Sequence, residues 1–184
     1  MTWIDAIPIV LIIGYGLLGF LTGAIRRLIG LVALYVAFFA ANGMGLQAGG
    51  ILQQSSSVPT PDARIYGFFG IAIIVIIVID GAAQLAHSQI QLQAIVANRL
   101  SGVVIGVLTG LLLSVVLTYE LQAAGNPIGG AQLDGLQQNI RDAVNGSHIA
   151  VPLTRGIGKP IISIFQPVLP ADPQIYFGPG PVNP

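Results

Sequence analysis

The sequence predicts an all-α membrane protein with four transmembrane helices in two antiparallel hairpins, followed by a C-terminal tail carrying short amphipathic helices. Three observations lead there. Of 184 residues, 54% are hydrophobic and only 8% charged, whereas an ordinary soluble domain is about a quarter charged. Four apolar stretches, near 6–25, 28–48, 65–86 and 100–120, hold two charges between them, Asp80 and the Glu120 that ends the last. At about 1.5 Å per residue each is long enough to cross a hydrocarbon core of roughly 30 Å. Residues 1–121 therefore read as the transmembrane domain and 122–184 as an extracytoplasmic tail.

Composition also narrows the chemistry. Seven Lys and Arg balance seven Asp and Glu, so no overall field draws nucleic acid or an acidic partner. The absence of cysteine excludes disulfides, thiol catalysis and cysteine-ligated metals. No Ser/His/Asp, metal-ligand or phosphate-binding constellation is visible, so the reading is no enzyme, no catalytic residue, no metal and no cofactor. The expected partners are the lipid bilayer and either further copies of the chain or other membrane subunits.

The first stretch has no basic residue before it, and it is longer than the apolar core of a cleaved signal, so it reads as a retained span. Asp5 is placed to cap it, Pro8 falls in the first turn where a missing N–H is harmless, and Trp3 sits at the interface. Gly14-Tyr15-Gly16-Leu17-Leu18-Gly19 has the glycine spacing of a dinucleotide fingerprint. That motif needs a strand before it and a helix after it, whereas here it lies inside a span. Gly16, Gly19 and Gly23 are therefore assigned to helix packing.

Arg26 and Arg27 form the tip between spans one and two, a basic turn that sets topology. A polar, proline-broken loop around Ser55 to Asp62 follows span two. The centre of span three is rich in β-branched residues, but an open strand edge cannot be satisfied in lipid, so it too is helical. Asp80 is its one carboxylate, and Gln84, His87 and Gln91 follow at helical spacing as one polar stripe. An ionised Asp facing lipid costs roughly 2.5–3.5 kcal/mol, so Asp80 should face protein, water or a partner, with Arg26, Arg27 and Arg99 as candidate partners. Two readings stay open: a structural ion pair near the interface, which is favoured, and a proton or ion relay through Asp80 and His87.

Span four repeats a glycine every fourth residue, at Gly102, Gly106 and Gly110. Glycines so spaced share one helix side and leave bare backbone for a second helix. In water each costs about 1 kcal/mol relative to alanine, so three in a row need a packing reason. Arg26, Arg27 and Arg99 fall on one side of the membrane against Arg64 on the other. The positive-inside rule then puts both termini outside the cytoplasm.

Trp3-Ile4-Asp5, the glycine-rich first span running into Gly23-Ala24-Ile25-Arg26, then Asn98-Arg99-Leu100-Ser101-Gly102 with Gly106 and Gly110, and finally Ser147 to Pro152 resemble the bacterial colicin V production protein family. The order and spacing match from Met1 to about Phe165. The chain departs from the family pattern at Asn98, where an acidic residue is common, and at Thr109, where an arginine often stands. The resemblance implies a four-span inner-membrane protein with a role in colicin V production or secretion, envelope stress tolerance or peptide toxin handling. It also implies an anchor role, because related modules precede a periplasmic serine protease in some bacteria. Three functions follow: a non-enzymatic scaffold or accessory protein of this type, a small transporter or channel using Asp80, or a structural subunit of a larger bacterial membrane complex.

In the tail, Leu133, Leu136, Ile140 and Val144 recur at helical spacing, with Asp134 in the first turn. A second set, Leu153, Ile157, Ile161 and Phe165, fits a helix interrupted by Gly156, Gly158 and Pro160. These faces would lie on the membrane or bind another subunit. From Pro167 the chain holds six of its twelve prolines and should be extended, ordered only where something grips it.

Overall fold

The computed structural model describes residues 1–87, 95–129, 133 and 135–180, with side chains of 83–87 and 95 outside that set. The described residues are mostly helical, with no strand among them. Four long helices are apolar enough to cross a membrane: α1 (Trp3–Thr22), α2 (Ala24–Ser56), α3 (Thr60–His87) and α4 (Ile95–Ala124). The tail adds α5 (Gly135–Asn145), α6 (Ala150–Phe165), a 3-10 turn (Gln166–Val168) and the single-turn α7 (Pro173–Tyr176).

The long helices stand in the order α1, α4, α2, α3, and they pack as two antiparallel pairs. α2 and α3 form a hairpin through Ser57, which takes a left-handed φ of 48°. The other pair joins α1 to α4, not to α2, which it barely touches. The reason is at Gly23. The chain turns there, at φ 82°, before the arginines rather than at them. Arg26 and Arg27 consequently lie in the first turn of α2. Asn98 of α4 fills the elbow, its Oδ1 accepting the Ala24 N–H at 3.0 Å.

Close approach explains the pairing. A Cβ on Gly19 would run into the Gly102 carbonyl, one on Gly102 into Gly19 and Gly23, one on Gly106 into the Tyr15 carbonyl, and one on Gly110 into Leu11. A Cβ on Gly16 would stand 3.1 Å from Val107. The α2–α3 pair uses the same device at Gly45, Gly49 and Gly67, each of which meets facing backbone.

The tail helices spend their apolar faces on the bundle itself. Ile140, Ala143 and Val144 of α5 are buried, as are Val151, Thr154, Gly158, Ile161 and Phe165 of α6. The contact stripe of α6 is thus rotated from the one expected, leaving Ile157 exposed, because Thr154 and Gly158 let α6 approach Val115 closely. Gly156, Gly158 and Pro160 do not interrupt the helix. From Pro167 to Gly180 the chain is not extended throughout: after the 3-10 turn, Asp172 caps α7 by accepting the Ile175 N–H at 3.3 Å. Phe38, Phe68, Phe69, Phe165, Tyr176 and Phe177 form one aromatic cluster that fixes this segment over α2 and α3.

Candidate functional site

Four polar groupings stand out among the described residues. The first joins the two ends of the chain. Asp5 is fully buried. In its own helix Thr2 is the N-cap residue and Asp5 completes the capping box from the third position, its Oδ2 accepting the Thr2 N–H at 3.1 Å. The carboxylate also caps α6. Oδ1 accepts the Ser147 hydroxyl at 2.5 Å and the N–H groups of His148, Ile149 and Ala150 at 3.1, 2.9 and 3.2 Å. The Ser147 hydroxyl in turn accepts the Val151 N–H at 3.1 Å. A helix start leaves four N–H groups without intrahelical partners, and here a single Asp–Ser pair engages them. Pro152 falls in the first turn, where its missing N–H breaks nothing. Trp3 donates from Nε1 to Asn139 Oδ1 at 3.0 Å, and the Thr2 hydroxyl donates to the Ala143 carbonyl at 2.8 Å, tying α1 to α5 as well.

At the opposite end lies a cationic cluster. Arg27 is 2% exposed. Its guanidinium stands 5.6 Å from the Tyr15 ring centre, and Nε donates to the Thr22 hydroxyl at 3.1 Å. Arg26 Nη2 reaches the Asp80 backbone carbonyl at 3.4 Å. The Asp80 carboxylate leans toward Gly30, where a Cβ would stand 3.2 Å from Oδ1. Arg27 Nη1 and Asp80 Oδ1 are buried without hydrogen-bond partners. Arg99 lies apart from this cluster, 5.7 Å from the Phe20 ring centre. The rest of the polar stripe proposed from sequence, the side chains of Gln84, His87 and Gln91, lies outside the described residues.

A third place was not singled out in the sequence. Glu120 reads there only as the charge that ends span four, yet it is fully buried with neither carboxylate oxygen hydrogen-bonded. The available signal is its spacing from Thr109, Leu113 and Val116, which puts it on the buried face of α4. Thr109 itself, where the family often has arginine, is buried with its hydroxyl donating to the Ile105 carbonyl at 2.7 Å.

The fourth is a latch on the tail. Arg64 donates from Nη1 to the carbonyls of Tyr176, at 3.3 Å, and Gly178, and from Nη2 to that of Gly180 at 2.9 Å. Gln137 Nε2 bridges the carbonyls of Ala124 and Phe177 at 3.2 and 3.0 Å. Asn42 Nδ2 donates to the Leu169 carbonyl at 3.1 Å. Burial pushes the Tyr176 phenol well above its usual range, so it stays neutral in the seated tail. Among the described residues, no group of three or more His, Cys, Asp or Glu could hold a metal ion.

Four long apolar helices and a tail folded back on them define a multi-pass helical membrane protein. Its family is settled by the sequence as a whole. The colicin V production protein family matches residues 4–149, and the chain belongs to it. The matched region begins beside Asp5 and ends at the helix start that Asp5 caps. No curated protein and no solved structure matches the chain.

Proposed function

We propose that the protein is a non-enzymatic scaffold or accessory subunit of the colicin V production type, seated in a bacterial cytoplasmic membrane and serving production or secretion of such peptides or tolerance of envelope stress. The observation that carries this reading is the locked tail. Asp5, Arg64 and Gln137 hold α5, α6 and the segment through Gly180 against one end of the bundle. The protein thus offers a folded face at that end and uncovered apolar helix sides below it, such as Ile73, Ile74, Ile77 and Val78 of α3. Those sides call for lipid or neighbouring subunits, in copies of the chain or in a larger complex. Arg26, Arg27 and Arg99 gather at the end away from the tail, which supports termini and tail outside the cytoplasm.

Copurification from native membranes with mass spectrometry tests the scaffold reading. A stable, reproducible partner set or homo-oligomer is expected; recovery of a bare monomer after gentle cross-linking overturns it. Because the chain has no cysteine, single cysteines at Arg155 and Arg99 report orientation by labelling with a membrane-impermeant maleimide. Labelling from outside is expected only at 155.

A second reading, a small transporter or channel, is favoured by one observation: Arg27 and Asp80 both present buried polar atoms without hydrogen-bond partners at one end of the bundle. Proteoliposome flux of protons or monovalent cations that is unchanged by Asp80→Asn counts against it.

A further inference from the structure

Two clefts meet where α4, α6 and the segment 169–174 come together. One, of about 490 Å³, runs along Gly158, Lys159, Ile162 and Ser163 and under Leu169 and Pro170. The other, of about 520 Å³, lies between Gln122, Asn126 and Asp172. Tyr119 and Ala171 line both, so the two clefts adjoin and are taken together as one groove. We propose that this groove binds a single phospholipid whose headgroup carries a primary ammonium, of the phosphatidylethanolamine type.

Charge and hydrogen-bond polarity select that occupant. In the second cleft one N–H of each amide is spent on the backbone of α4: Gln122 Nε2 donates to the Thr118 carbonyl at 3.3 Å and Asn126 Nδ2 to the Gln122 carbonyl at 3.1 Å. The Asp172 carboxylate gives this cleft its negative charge, and together with the amide oxygens it can accept from an N–H cation. A quaternary ammonium has no N–H to give them. The first cleft supplies the opposite charge, Lys159, with the Ser163 hydroxyl one turn along, which suits the phosphate. It also supplies the apolar wall, Ile162, Leu169 and Pro170, along which an acyl chain lies. The depth is consistent, because α4 is a membrane-crossing helix whose last turns line the second cleft. On the same α6, Ile157 and Ile164 are 37% and 62% exposed, as a helix bordering lipid would be.

The test uses the full chain, purified in mild detergent and reconstituted in vesicles of equal parts dioleoyl phosphatidylethanolamine, phosphatidylcholine and phosphatidylglycerol. Lipid that stays bound on re-extraction is counted per chain by native mass spectrometry. Retention of phosphatidylethanolamine over both others is expected. Asp172→Asn still accepts the Ile175 N–H and so preserves α7, but it should lower that preference about tenfold, the size of one charged hydrogen bond. Lys159→Gln should weaken phosphatidylethanolamine and phosphatidylcholine alike, and Ala171→Trp, which fills the junction, should remove retention. Equal retention of the two zwitterionic lipids by the wild type, preference for phosphatidylglycerol, or a preference untouched by both Asp172→Asn and Ala171→Trp overturns the proposal. Circular-dichroism melting of each variant separates loss of the site from loss of the fold.

Discussion

Asp5 and Ser147, 142 positions apart in the chain, share a 2.5 Å hydrogen bond at the start of α6. Both also bond the free N–H groups of that helix, so the first span and the tail meet at one buried carboxylate. Two sequence motifs at opposite ends of the family match thereby become one structural unit.

Asp5→Ala should leave the N–H groups of His148, Ile149 and Ala150 without acceptors. Each buried donor left open costs about 1–3 kcal/mol, and part of that is recovered by water entering the rim. A loss of roughly 3 kcal/mol is expected, read as a lowered melting temperature in detergent together with new proteolytic cleavage between α5 and α6. Asp5→Asn should fall between, since an amide oxygen still accepts but carries no charge. A variant as stable and as protease-resistant as the parent would show that the cap does not hold the tail.

Gly106→Leu should separate α1 from α4, because even a Cβ at that position meets the Tyr15 carbonyl. Overpacking typically costs about 1–3 kcal/mol, and a backbone clash lies at the upper end. Gly14→Ala is the matched control. Nothing lies within 4 Å of its would-be Cβ, so it should be neutral or gain up to about 1 kcal/mol of helix propensity. Equal melting temperatures for the two variants would refute packing by the glycine strip.

Arg64→Ala should free the segment from Tyr176 to Gly180, since one guanidinium holds the carbonyls of Tyr176, Gly178 and Gly180. Carboxypeptidase trimming should then proceed past Phe177, whereas the parent should not be trimmed beyond Gly180. Arg64→Lys should rescue only in part, because an ammonium lacks the planar fork that reaches several acceptors at once. Trimming that stops at the same residue in all three proteins would mean the aromatic cluster alone seats the tail.

Glu120→Leu should stabilise the protein, by about 1–3 kcal/mol, because both carboxylate oxygens are buried without partners. The gain is measured by thermal unfolding at neutral pH. If Glu120→Leu is destabilising, the carboxyl has a role the bundle depends on, and flux and partner recovery become the assays to repeat on that variant.

Sequence alone determined the class of this protein: hydropathy and length give four spans, because a bilayer accepts only backbones that satisfy their own hydrogen bonds. It also exposed the glycine spacing at Gly102, Gly106 and Gly110, which is a property of one helix. It did not reveal which helix lies on that strip. The short link at Gly23 suggests α2, but a left-handed turn filled by Asn98 sends α2 away, and Gly16 and Gly19 meet α4 instead. Tertiary structure likewise decided the tail. Periodicity finds the amphipathic faces of α5 and α6 but not what they cover, since lipid, a partner and the protein's own bundle are equally apolar. Asp5 shows the same limit: a carboxylate near a helix start reads as a local cap, and only the fold reveals that it caps a distant helix as well.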